Sequence, residues 1–273
     1  MNNIVFAFLL TLIAGLSTGI GSCIGFFSTK PNKKFLSLSL GFSAGVMIYV
    51  SMIEIFSKAS DSLSASFGDK VGTGITILGF FGGILLIGLI DKLIPKGTNP
   101  HEVRDDDELD KINSNDFNSD STKNRLLRTG IFTALAIGIH NFPEGLATFV
   151  AALTDSSIAI PIVVAIAIHN IPEGISVSVP IYYATGSKKK AFLYSFMSGL
   201  AEPIGALVGY LLLMPIMNDT TFGILFAAVA GIMVFISLDE LLPLAKEYDD
   251  GHNCIYGLVL GMFVMAISLF LFM

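Results

Sequence analysis

Long apolar runs separated by short polar ones fill the chain almost from its first residue. A helix that crosses a bilayer needs about 20 mostly apolar residues. Runs of that kind fall at residues 4–27, 35–57, 72–94, 127–153, 157–184, 188–216, 220–244 and 253–272. The pattern predicts an all-α integral membrane protein of eight transmembrane helices, a single polytopic domain over residues 1–273. One polar stretch, residues 95–128, is longer than the others. It holds Asp105-Asp106-Asp107-Glu108 and then Asn, Ser and Asp, the composition of a flexible acidic loop between the third and fourth helices. The first run is no secretory signal: no Lys or Arg precedes it, whereas Lys30, Lys33 and Lys34 follow it.

Composition agrees with the pattern. Only 14% of residues are charged and mean hydropathy is +0.73, against roughly 25% charged in a soluble domain. The shortage of charge argues against an ordinary soluble enzyme, and a net charge of −6 makes nucleic acid a poor partner. Cys23 and Cys254 give no disulfide framework and read as buried structural thiols.

The basic residues set an orientation. Fourteen of the 16 Lys and Arg fall in the loops after the first, third, fifth and seventh helices, leaving only Lys58 and Lys70 on the other side. Loops rich in Lys and Arg stay in the cytoplasm. Both termini are therefore expected outside the cell membrane, with the 95–128 loop inside.

The chain also aligns with itself. Gly15-Leu-Ser-Thr-Gly-Ile-Gly21 in the first helix matches Gly199-Leu-Ala-Glu-Pro-Ile-Gly205 in the sixth. Ala44 to Glu54 in the second matches Ala230 to Glu240 in the seventh. Gly79 and Gly83 of the third match Gly257 and Gly261 of the eighth. Between the fourth and fifth helices, Ala136-Ile-Gly-Ile-His-Asn-Phe-Pro-Glu-Gly145 and Ala165-Ile-Ala-Ile-His-Asn-Ile-Pro-Glu-Gly174 agree at eight of ten positions. In each pairing the two helices enter the membrane from opposite sides. The repeats, helices 1–3 onto 6–8 and helix 4 onto 5, are thus inverted in space, an architecture of secondary transporters with a site near the midplane.

Candidate chemistry lies inside those repeats. His140, Glu144, His169, Glu173 and Glu202 are expected at mid-span, where each ionisable group costs about 2.5–3.5 kcal/mol to insert. In each motif His and Glu are four apart and Asn and Glu three apart, so all three share a helix face. Pro143 and Pro172 each lack an N–H and should kink the helix, freeing carbonyls; Pro203 follows Glu202 in a third broken helix. Imidazole with carboxylate is a ligand set for Zn²⁺ and its first-row neighbours. Five such groups exceed the four that one tetrahedral Zn²⁺ takes, so bridging carboxylates with the oxygens of Asn141 and Asn170 could hold a second ion. Glu54 and Glu240, matched by the repeat, are expected near opposite mouths of a pathway, with Asp239 beside the inner one.

These motifs, with Ser237-Leu-Asp-Glu-Leu-Leu-Pro-Leu-Ala-Lys246, closely resemble the signature helices of the zinc/iron-regulated-transporter-like (ZIP) family, above all its bacterial zinc transporters. The resemblance spans most of the chain outside 95–128. It implies an eight-helix, usually dimeric importer of divalent metal into the cytoplasm, with the metal as substrate rather than cofactor. It also implies a binuclear site: His140, Glu144, His169, Glu173 and Glu202 for one ion, and Asn141 and Asn170 with shared glutamates for the other. Helices 1, 4, 5 and 6 would then form a transport bundle moving against helices 2, 3, 7 and 8. Iron, manganese, cobalt and cadmium are alternative cargoes. Two rival readings are an intramembrane zinc hydrolase and a structural protein with a fixed metal staple. The His-Glu-x-x-His arrangement of metalloproteases is absent, and a staple needs no Pro at every ligand turn.

Overall fold

The computed structural model describes residues 3–25, 33–93, 120–154, 156–216, 218–249 and 251–271; a few side chains within these ranges, including that of His140, lie outside the described set. The described residues are almost entirely helical, contain no strand, and form eight successive rods. We name them α1 (Asn3–Gly25), α2 (Lys33–Tyr49, Val50–Ile55 and Phe56–Phe67 in one piece), α3 (Asp69–Leu93), α4 (Asp120–Thr154), α5 (Ser156–Thr185), α6 (Lys188–Gly199 and Ala201–Leu213), α7 (Asp219–Ile236, Ser237–Leu241 and Leu242–Glu247) and α8 (Asn253–Leu271). Seven are long and apolar enough to cross a membrane; α4 is outside that count. The chain is an all-α integral membrane protein.

Its surface is inverted relative to a soluble protein. Leu78, Phe81, Leu85 and Leu89 of α3 and Tyr256, Val259, Phe263 and Phe270 of α8 are exposed, while Ser17, Thr18, Ser43, Thr76, Thr148, Ser195 and Ser237 are buried. Lipid accepts the apolar exterior; some of the interior hydroxyls bond to carbonyls of their own helices, as Ser237 does to Met233 (2.7 Å) and Thr76 to Gly72 (2.9 Å). Gly68 (φ +80°) and Gly186 (φ +66°) turn the chain between α2 and α3 and between α5 and α6, in backbone regions an L side chain would strain.

Three expectations change. First, α2 runs to Phe67 rather than stopping near residue 57. Lys58, Ser60, Asp61 and Ser62 end the apolar run but not the helix, because Ala59 and Leu63 remain buried and the backbone of Leu63 and Ser64 lies against Gly72 of α3. Glu54 is consequently well inside its rod and not at the rod's end. Second, α4 starts at Asp120 and not near residue 127. Third, Cys23 is exposed and only Cys254 is buried. The acidic run 105–108 lies outside the described residues.

Packing follows the sequence repeats closely. α2 pairs with α8, and α3 with α7. In the first pair Gly45 abuts the Leu258 carbonyl, Gly257 the Leu38 carbonyl and Gly261 the Phe42 carbonyl. In the second Gly231 abuts the Phe80 carbonyl and Gly83 the Ala228 carbonyl. Gly45 and Gly231, Phe42 and Ala228, Gly83 and Gly261, and Phe80 and Leu258 are equivalent in the alignment. The remaining four rods, α1, α4, α5 and α6, pack on one another. There Gly15 and Gly199, themselves equivalent, sit face to face, each against the other's carbonyl. Gly21 meets the Ile171 carbonyl as Gly205 meets that of Phe142; Gly174 meets the Thr18 carbonyl as Gly145 meets that of Glu202. Such close approach needs small residues, the usual means of joining helices in lipid. The π-helical turns of α2 and α7, Val50–Ile55 and Ser237–Leu241, also fall at equivalent positions. Each inserts an extra residue per turn, a feature frequent at functional sites.

Candidate metal centre

The two His-Asn-x-Pro-Glu-Gly motifs lie within α4 and α5, and the helical pattern continues through Pro143 and Pro172. The helix break expected near Glu202 is present at Leu200, whose ψ of −13° separates the two halves of α6. Glu202 stands in the first turn of the second half, where the helix dipole favours a carboxylate.

Asn141, Glu144, His169, Asn170, Glu173 and Glu202 are all buried, none more than 1% exposed. His169 Nε2 lies 3.0 Å from Glu144 Oε1, joining α5 to α4. Asn170 Nδ2 donates to Glu202 Oε1 and to the Ala14 carbonyl of α1 at 3.0 Å. Asn141 Nδ2 donates to the Ser198 carbonyl of α6 at 3.2 Å. Ala14 and Ser198 are equivalent in the repeat, so each Asn is oriented by the same device. With the amide nitrogens committed to carbonyls, the Oδ1 atoms of Asn141 and Asn170 are buried without a hydrogen-bond donor among the described residues, as are Glu144 Oε2 and Glu202 Oε2. Glu173 Oε1 accepts from the Ser43 hydroxyl of α2 at 2.8 Å.

Glu202 is within electrostatic reach of both Glu144 and Glu173. Three carboxylates thus share one buried region, and no described Lys or Arg is buried to offset them. Burying an uncompensated carboxylate costs several kcal/mol, and buried acceptors lacking donors add to that cost. A cation offsets both. Among the described residues no three His, Cys, Asp or Glu side chains close into a cage; the side chain of His140, expected as a ligand, lies outside the described residues. Ser43 and the Ala14 and Ser198 carbonyls were not legible in advance. A lone Ser on an apolar helix carries no signal, and a carbonyl carries none at all.

Residues 91–269 match the family model described as ZIP zinc transporter. The chain belongs to the ZIP zinc transporter family. Among its relatives, the zinc transporter ZupT of Clostridium perfringens is 65% identical over 278 residues, covering 100% of this chain and 98% of that one. ZupT of Streptococcus mutans is 64% identical, covering 97% of each chain, and ZupT of Chlorobaculum parvum is 60% identical, covering 100% and 99%. The matched segment covers α4 to α7 in full and α8 as far as Leu269, and so holds both His-Asn-x-Pro-Glu-Gly motifs and Glu202.

Proposed function

We propose that this protein imports zinc across the cell membrane into the cytoplasm. The observation that carries the reading is the buried cluster of Glu144, Glu173, Glu202 and His169, with no described Lys or Arg buried beside it, in a chain whose full-length relatives are zinc transporters. The site is binuclear. His140, Glu144, His169, Glu173 and Glu202 supply one ion, and the Oδ1 atoms of Asn141 and Asn170 serve the other, with the glutamates shared. Imidazole and carboxylate suit Zn²⁺ and also admit Fe²⁺, Mn²⁺, Co²⁺ and Cd²⁺. An eighth crossing by α4, an inverted repeat and a homodimer belong to the same proposal; the matched glycine–carbonyl contacts support the repeat. The hydrolase alternative has no support among the relatives.

Uptake of Zn²⁺ into proteoliposomes, with competing ions and an imposed pH gradient, tests this function directly. Saturable zinc accumulation is expected, and its absence from vesicles holding folded protein would remove the proposal. Orientation has its own test. With the 95–128 segment in the cytoplasm, Ser114→Cys should resist a membrane-impermeant thiol reagent in intact cells and react after lysis. Labelling of intact cells would reverse the topology. Cys23 is exposed, so the measurement is made in a Cys23→Ser background.

The two ions should differ in how tightly they are held, because a neutral Asn is a weaker ligand than Glu or His. Asn141→Ala or Asn170→Ala is expected to change rate or selectivity while leaving one tightly bound Zn²⁺ per chain by titration calorimetry. Loss of all bound metal would contradict unequal sites.

A further inference from the structure

The two-fold relation between the repeats is broken where α2 meets the site. α2 packs on α5 as α7 packs on α4, and Glu173 is the counterpart of Glu144. The residue of α7 equivalent to Ser43 is Val229, which is buried and has no hydroxyl. Of two carboxylates in matching places, Glu173 therefore has a donor from outside the α1, α4, α5 and α6 group. Glu144 has His169 beside one oxygen and, among the described residues, no hydrogen-bond donor on the other.

Resting on the proposed transport site, we infer that Ser43 is a positioning residue: its hydroxyl holds the Glu173 carboxylate in the orientation that receives the incoming ion. Both side chains are completely buried, so water does not replace the bond when it is lost. The donor is neutral and the acceptor is a carboxylate, which makes the bond one of the stronger kind. Ser43 stands on a rod that α8 clamps through Gly41 and Gly45, each against a carbonyl of α8. The hydroxyl is thus fixed by backbone packing rather than by a flexible side chain. Val229 cannot do the same for Glu144, so the two glutamates do not enter metal binding in the same way. Glu173 is oriented beforehand, and Glu144 holds a bare oxygen for the cation.

The test is zinc uptake by the full chain in proteoliposomes, with titration of Zn²⁺ binding to the purified protein. Ser43→Ala should raise the half-saturating zinc concentration about tenfold, the worth of one hydrogen bond to a charged group, while the maximal rate per folded molecule changes less than twofold. Ser43→Thr keeps the hydroxyl and should restore wild-type half-saturation. A purely structural role would lower the amount of folded protein and the maximal rate, without moving half-saturation or being rescued by Thr. If Ser43→Ala is not recovered folded, Ser43→Cys decides, since its weak donor should give an intermediate shift. Half-saturation within twofold of wild type in Ser43→Ala, or in Ser43→Cys when that variant decides, overturns the inference. So does failure of folded Ser43→Thr to restore it. Glu173→Gln run alongside separates the two levels. If that variant transports normally, the site itself is misplaced. If it is inactive while Ser43→Ala is silent, only the role of Ser43 falls.

Discussion

Glu144→Ala and Glu173→Ala are each expected to abolish zinc uptake while the protein still reaches the membrane. Both carboxylates are buried, and neither is needed to close the helix contacts, which run through glycines and carbonyls. Glu144 touches His169 and Glu173 touches Ser43; these bonds orient the pair rather than hold the bundle. Removing a group that merely orients a metal ligand costs about 10–100-fold in affinity or activity, so removing a shared ligand should exceed that range. Folding should be unharmed, because a buried negative charge is removed along with its desolvation cost. Zinc-65 uptake, normalised to membrane protein on an immunoblot, gives the result. Uptake within threefold of wild type by either variant would refute a shared site.

A second large effect is expected at Gly174 and Gly145. A methyl on Gly174 would fall deep inside contact distance of the Thr18 carbonyl, and one on Gly145 inside that of the Glu202 carbonyl. The opposing atoms are backbone, so no side chain can swing aside. Rods α1 and α5, or α4 and α6, would have to separate. Overpacking of this kind costs about 1–3 kcal/mol and sometimes more. Here it also shifts Glu202 or Thr18, and with them the carbonyl partners of the Asn amides. Gly174→Ala and Gly145→Ala should therefore lose nearly all transport and lower the unfolding temperature in detergent. Gly82→Ala is the control, because nothing lies within 4 Å of its added methyl; it should behave as wild type. Equal tolerance at all three positions would show that the rods are less tightly apposed than these contacts require.

Much of the site was legible before any coordinates. His, Asn, Pro and Glu recur at fixed spacing in two apolar runs, and lipid admits such groups only for function. That rule alone nominates His169, Asn170 and Glu173 and their counterparts in α4. It also directs the expectation to transition metals, which imidazole with carboxylate suits. It was weaker on depth. Glu54 read as a helix end because hydropathy falls after it, yet α2 continues in an amphipathic form to Phe67, and hydropathy does not report where an amphipathic helix stops.

The sequence by itself determined the all-helical membrane architecture, the internal repeats and the chemical identity of the acidic and imidazole groups, because apolar length, glycine spacing and residue type are local properties. Tertiary structure alone decided which carbonyl each Asn amide meets, which oxygens are left without donors, and which glutamate takes the Ser43 hydroxyl. Those partners lie 57 residues apart for Asn141 and Ser198, 156 for Ala14 and Asn170 and 130 for Ser43 and Glu173. They meet only because glycines let the rods approach to backbone contact. The His-Asn-x-Pro-Glu-Gly motifs of α4 and α5 match closely, whereas their packed surroundings differ, since one Ser in place of a Val acquires a meaning only when a carboxylate stands 2.8 Å away.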